Sequence, residues 1–190
     1  MIPILISEPA VEPLTLDDAR AWLRLDTQAE DTLLTALIRA ARHAVEQATR
    51  RALIAQNWRL RLDRWPANGI VPVPLAPIMS LLSVRVTGLD GVASEVPLAA
   101  FQLDESFGAR IVFNEPPPAL GRLYGGIEID LRAGYGATSG AIPPPLLQAM
   151  RMLLAHWYEH RGDALHEGSV AHLPAGVAAL VVPYRRARLA

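Results

Sequence analysis

The chain has 190 residues with eighteen basic and nineteen acidic side chains, a net charge of −1 that argues against a general nucleic-acid binder. It contains no cysteine, which excludes disulfides, thiolate metal sites and cysteine nucleophiles. Every basic residue is arginine, so a Walker-type phosphate lysine and Schiff-base chemistry are excluded too.

Met1 to Ser7 has no basic n-region and does not read as a signal peptide. The longest apolar stretch, Val177 to Val182, is far short of a bilayer span. The expectation is a soluble protein used without export. Residues 1 to 13 hold three prolines and read as an extended lead-in. Thr15 and Asp18 then approximate a capping box for a short helix over about 15–25, with Leu16, Ala19, Trp22 and Leu23 on one face. Thr27 and Glu30 match the Thr-x-x-Glu box more closely and predict a second helix over about 28–51. Its apolar stripe is Leu34, Leu37, Ile38, Ala41, Val45 and Ala48.

The period then changes. Trp58, Leu60 and Leu62 alternate with polar residues, which is a half-buried strand. Pro66 to Gly69 is a turn, and Pro72, Pro74 and Pro77 confine any strand there to an edge. Short strands follow at 83–87, 101–104, 110–113 and 127–132, with turns at 88–91 and 106–108 and a rigid crossover at Pro116-Pro117-Pro118. A helix restarts after Pro143-Pro144-Pro145, with Leu146, Ala149, Met150, Leu153 and Trp157 as its stripe and Gly162 closing it. The fold class is therefore α+β, with an N-terminal helical pair, an antiparallel strand region, a C-terminal helix and an extended tail. Residues 1–162 read as one domain and 163–190 as a tail for partner docking.

The sharpest motif is His156-Trp-Tyr-Glu159-His160, which satisfies the H-x-x-E-H pattern of inverted zincins. On a helix, two histidines four apart share a face and could bind zinc, leaving Glu159 as general base of a hydrolase. Against this, no third ligand follows except Glu167 in the tail. The motif also sits at a helix end, where histidine is ordinary, and Trp157 and Tyr158 look like packing anchors. Gly134-Tyr-Gly136-Ala-Thr-Ser-Gly140 has the wrong spacing for a dinucleotide loop and precedes a proline run, so it reads as a loop leaving the sheet. The carboxylate pairs Asp17/Asp18 and Asp104/Glu105 lie at a helix start and a strand end, where solvated acids are common. No G-x-S-x-G elbow is present. No enzyme and no cofactor is expected. In the tail, Pro183-Tyr184-Arg185-Arg186-Ala-Arg188 is either a solvated basic end or a docking peptide, tyrosine and arginine being interface anchors.

Leu14 to Asp26, Thr49 to Ile54, Gln56-Asn-Trp58, Leu62 to Pro66, Ala133 to Gly136, Pro143 to Leu146, Ala155 to Arg161 and Pro183 to Arg185 occur in that order. This ordered set resembles the head–tail connector, or adaptor, proteins of long-tailed phages and gene transfer agents. The resemblance spans about residues 14–186. It implies a non-enzymatic component of a particle neck, made in the bacterial cytoplasm. Such a component forms a ring, typically of twelve copies, beneath the portal protein. It joins a stopper or tail-completion protein below and continues the DNA channel without sequence-specific binding. It further implies a portal-facing tail of Val181, Val182, Pro183, Tyr184, Arg185, Arg186 and Arg188. Trp22, Trp58, Trp157, Tyr158, His160 and Arg161 become packing or subunit-interface residues. Ring closure needs two unlike patches per subunit, and the segments 66–77 and 134–145 are expected to contribute one.

Overall fold

The computed structural model describes residues 2–106, 108–113, 118, 121–122, 124–160 and 173–185. The mixed α+β class is found, in two compact units that each draw on two separate stretches of chain. One comprises Met1–Ala10 with Ile54–Ala137, and the other Val11–Leu53 with Thr138–Ala190.

The first unit is antiparallel. Its strands are β1 (Ile4–Ser7), β2 (Gln56–Leu62), β3 (Ile70–Pro72), β4 (Ile78–Thr87), β5 (Ala93–Glu95), β6 (Phe101–Asp104), β7 (Arg110–Phe113) and β8 (Ile127–Ala133). They form a five-stranded sheet in the order β1-β2-β8-β4-β5 and a three-stranded sheet in the order β3-β7-β6. The period-2 pattern sets the faces of the larger sheet. Leu60 lies opposite Ile129, which lies opposite Val84, and all three are buried. On the other face Arg59 lies opposite Asp130 and Arg61 opposite Glu128. Pro72 ends β3, an edge strand, as the prolines require. Within the smaller sheet region Trp65 packs on Phe101 and Phe113, with ring centroids 5.8 and 5.5 Å apart.

The second unit is helical: α1 (Leu16–Leu23), α2 (Asp31–Thr49), α3 (Pro144–Glu159) and α4 (Ala175–Val181). The Thr15 box forms as expected. Thr15 Oγ1 accepts from the Asp18 N–H at 3.0 Å, and the Asp18 carboxylate accepts from the Thr15 N–H at 3.0 Å. The Thr27 box does not form; α2 starts at Asp31 and its N-cap, Glu30, makes no side-chain cap. Leu34, Ile38, Ala41 and Val45 of α2 and Leu146, Ala149, Met150, Leu153 and Leu154 of α3 are buried, which is the core of this unit. The expected extended tail is helical at 175–181, because Val177 and Val181 are buried four residues apart. Arg161, Gly162, Arg186, Arg188 and Pro116-Pro117 lie outside the described residues.

Candidate functional site

The C-terminal segment is held by its own fold before it can meet anything else. Val181 is buried, so it packs inside the helical unit rather than facing outward. A short 3-10 turn, Val182–Tyr184, follows α4 and exposes Val182 and Pro183 while leaving Tyr184 half-buried. The Arg51 Nε–H donates to the Tyr184 carbonyl at 2.8 Å, tying residues 133 apart in sequence. Arg185 is exposed beyond that tie. The expected docking peptide is thus a short exposed end on an anchored stem. Sequence reasoning missed Arg51, whose one signal is its place directly after α2.

At the end of α3 the two histidines stack, with ring centroids 4.7 Å apart. His160 Nδ1 lies 2.9 Å from the carbonyl oxygen of His156, the residue one turn earlier in α3. Among the described residues no group of three His, Cys, Asp or Glu side chains could hold a metal ion. Glu167 lies outside the described residues. The hydrolase reading gains no support from this geometry. Tyr158 instead donates its hydroxyl to the Glu30 carboxylate, holding the start of α2 against the end of α3. Trp157 is half-buried and His160 exposed. Trp22 is 43% exposed on α1. Trp58 is half-buried on β2, and its indole N–H is enclosed without a hydrogen-bond partner among the described residues.

The carboxylate pairs do structural work. Asp18 caps α1, and Thr15 N–H donation holds its carboxyl below the usual range. Asp104 accepts from the Ser106 hydroxyl at 2.5 Å and N–H at 2.8 Å and from Arg110 at 2.7 Å. Those bonds, the Ser106 ones foremost, lower its pKa to about 2. Glu105 accepts the Ile78 N–H at 2.6 Å.

Two charge clusters were not foreseen. Arg42 is fully buried in α2, where its guanidinium donates to Glu12 at 2.8 Å and to Glu46 at 3.2 Å. Glu46 also accepts the Leu53 N–H at 2.8 Å, so one cluster pins the approach to α1, the body of α2 and the turn after it. The second cluster lies on the polar face of the five-stranded sheet. Arg59 meets Asp130 at 2.7 Å and Glu128 at 3.2 Å, Arg61 meets Glu128 at 2.8 Å, and Arg85 bridges Glu128 and Asp130 at 3.2 and 3.0 Å. Asp130 is held below its ordinary pKa chiefly by Arg59. The arginines are spent on carboxylates of the same chain, an arrangement that holds three strands in register. The glycine loop is also structural. Gly134 has φ +145°, and a Cβ there would meet the Ala55 nitrogen and the Ile54 carbonyl oxygen at 2.6 Å. The Ala55 N–H donates to the Gly136 carbonyl at 2.9 Å.

Residues 13–85 match the family of phage gp6-like head–tail connector proteins. The whole chain matches a chain from the neck of an empty gene transfer agent particle reconstructed with C6 symmetry. That match has 31% identity and TM-score 0.84, over 100% of this chain and 98% of the other. A chain from the virion of a native gene transfer agent particle is 31% identical with TM-score 0.81, over the same shares. A chain from a native neck reconstructed with C12 symmetry is 32% identical with TM-score 0.74, over 98% of this chain and 97% of the other. No curated protein sequence matches.

Proposed function

We propose that this chain, which belongs to the phage gp6-like head–tail connector family, forms a closed ring in the neck of a phage or gene transfer agent particle. Its family is structural, a head–tail connector and not an enzyme. The observation that carries the ring reading is the end-to-end likeness, at 31% identity and TM-score 0.84, to a chain of such a neck. The C6 and C12 symmetries of the related necks support a cyclic assembly, and twelve copies satisfy both.

The partners of this ring are a portal protein on one side and a stopper or tail-completion protein on the other, with DNA passing through its centre. The portal contact is made by Val182, Pro183, Tyr184 and Arg185, continued by Arg186 and Arg188. Support comes from the chemistry of that end. Two exposed apolar groups, a tyrosine and Arg185 sit on a stem held by the buried Val177 and Val181. A preorganised stem lowers the ordering cost of docking. The Arg51 bond to the Tyr184 carbonyl sets the direction in which the peptide leaves. Trp22, Trp157 and His160, together with Arg161, face neighbouring subunits, while Tyr158 and Trp58 pack within their own units.

The test is capture of the cognate portal protein by three forms of the chain: full-length, ending at Arg185, and carrying Tyr184→Ala. Because α4 ends at Val181, none of these removes a buried residue of that helix. The expected result is at least tenfold weaker capture by Tyr184→Ala and intermediate capture by the truncated form. Equal capture by all three overturns the docking assignment. No recruitment of the chain into particles overturns the connector reading itself.

A further inference from the structure

A ring of identical subunits joins two unlike surfaces of each copy, and the following rests on the ring reading above. The segments 66–77 and 134–145, expected from sequence to supply one such surface, contribute none of the large exposed apolar side chains. Among the described residues five of the thirteen, Ile2, Ile4, Ile6, Leu89 and Val92, lie instead at the two ends of the five-stranded sheet. At one end β1 pairs with β2 alone, and at the other β5 pairs with β4 alone, among the described residues. Each edge strand therefore turns one row of backbone N–H and C=O groups outward. Soluble proteins guard such rows with charges, proline or a covering element, because an open edge is a template for another strand. Among the described residues the guard is slight, with Pro3 just before β1 and Glu95 at the end of β5. Ile2 to Ser7 carries no charge, and Ile2, Ile4 and Ile6 are exposed, Ile2 at 83%. Across the sheet all three β5 residues are exposed, and the turn leading into them presents Leu89 at 91% and Val92 at 60%.

We propose that β1 of one copy pairs with β5 of the next, continuing the sheet from subunit to subunit around the ring. The occupant is a second copy of this chain because both open edges belong to one sheet and lie at its opposite ends. One repeated contact then uses both, and closure leaves no edge of that sheet exposed. A partner of another kind would satisfy one edge and leave the other open. Strands of four and three residues make a weak contact singly, so the pairing gains its strength from closure, each copy being held on both sides.

The absence of native cysteine makes the test clean. Ser7→Cys is combined in one chain, in turn, with Ala93→Cys, Ser94→Cys or Glu95→Cys, and particles assembled with each variant are oxidised. Facing residues of neighbouring strands lie within disulfide reach. The expected result is a covalent ladder of multimers for one of the three combinations, and none for Ser7→Cys or the β5 variants alone. Particles that contain the chain but show no ladder with any combination overturn the edge pairing and leave the ring reading standing. Cross-linking by Ser7→Cys alone, a contact of like with like, overturns it as well. Particles that lack the unmodified chain overturn the connector reading on which it rests.

Discussion

Arg42 shows how one side chain can tie three pieces of backbone. A buried guanidinium stays favourable only while its carboxylates are present, and removing one partner leaves an uncompensated charge. Arg42→Ala is therefore expected to cost about 3–5 kcal/mol. Arg42→Met combined with Glu12→Gln and Glu46→Gln should recover most of it, since the three charges leave together. Urea denaturation of the variants checks both statements, and equal loss in the two would contradict the charge argument. Asp104 gives a pH signature of its own. Its folded pKa of about 2 lies below the ordinary 3.8, so its contribution is present above pH 4 and is lost as pH falls through 2. Following its side-chain carboxyl by NMR should give a midpoint near 2. The Ser106→Ala variant, lacking one donor, should move that midpoint upward.

At the scale of elements, two threonines with similar sequence credentials differ. Thr15→Ala should cost about 1 kcal/mol, because its hydroxyl caps α1, whereas Thr27→Ala should lie within about 0.5 kcal/mol of the parent. Thermal denaturation of the pair checks this. The misleading signal at Thr27 has a physical cause: Glu30, which would complete the box, is bound by Tyr158 from a helix 128 residues away. No local pattern carries that information. β2, β6, β7 and β8 were legible because they alternate or are bounded by turns. β1 was not, since Ile4 to Ser7 follows Pro3 without alternation and becomes a strand only by pairing with β2. The first half of β4 was missed because irregularities at Ile78/Ser80 and Leu81/Ser83 break its period. α4 has seven residues, too few to hold by propensity, and exists through the burial of Val177 and Val181. The candidate docking residues were legible as tyrosine and arginines, whereas the stem that presents them was not. Gly134 makes a prediction at this scale too. Gly134→Ala combines a left-handed backbone with a 2.6 Å approach to the 54–55 backbone, so a loss of about 3 kcal/mol is expected in the same denaturation experiment.

For the whole molecule the charge pattern matters more than the sum. The net charge is −1, and Arg59, Arg61 and Arg85 are held by Glu128 and Asp130 on their own sheet. On the proposed role as a conduit for DNA, phosphates should pass without being gripped, since each phosphate contact adds salt-dependent affinity. The purified chain should accordingly leave duplex DNA unshifted in a gel at 150 mM salt. Tight retention with a steep salt dependence would show the arginines engaging phosphates rather than their own carboxylates.

The interleaved path of the chain also bears on how it is made. α2 presents Leu34, Ile38, Ala41 and Val45 to a helix that is synthesised only after the whole strand region. At ribosomal speeds the roughly 100 residues between them take about 5–20 s, during which α2 has only α1 from its own helical unit to pack against. The nascent chain is therefore a natural client for a holding chaperone during those seconds. Synonymous slow codons within the strand region would lengthen the wait and lower the yield of the finished subunit, although the finished protein itself is unchanged.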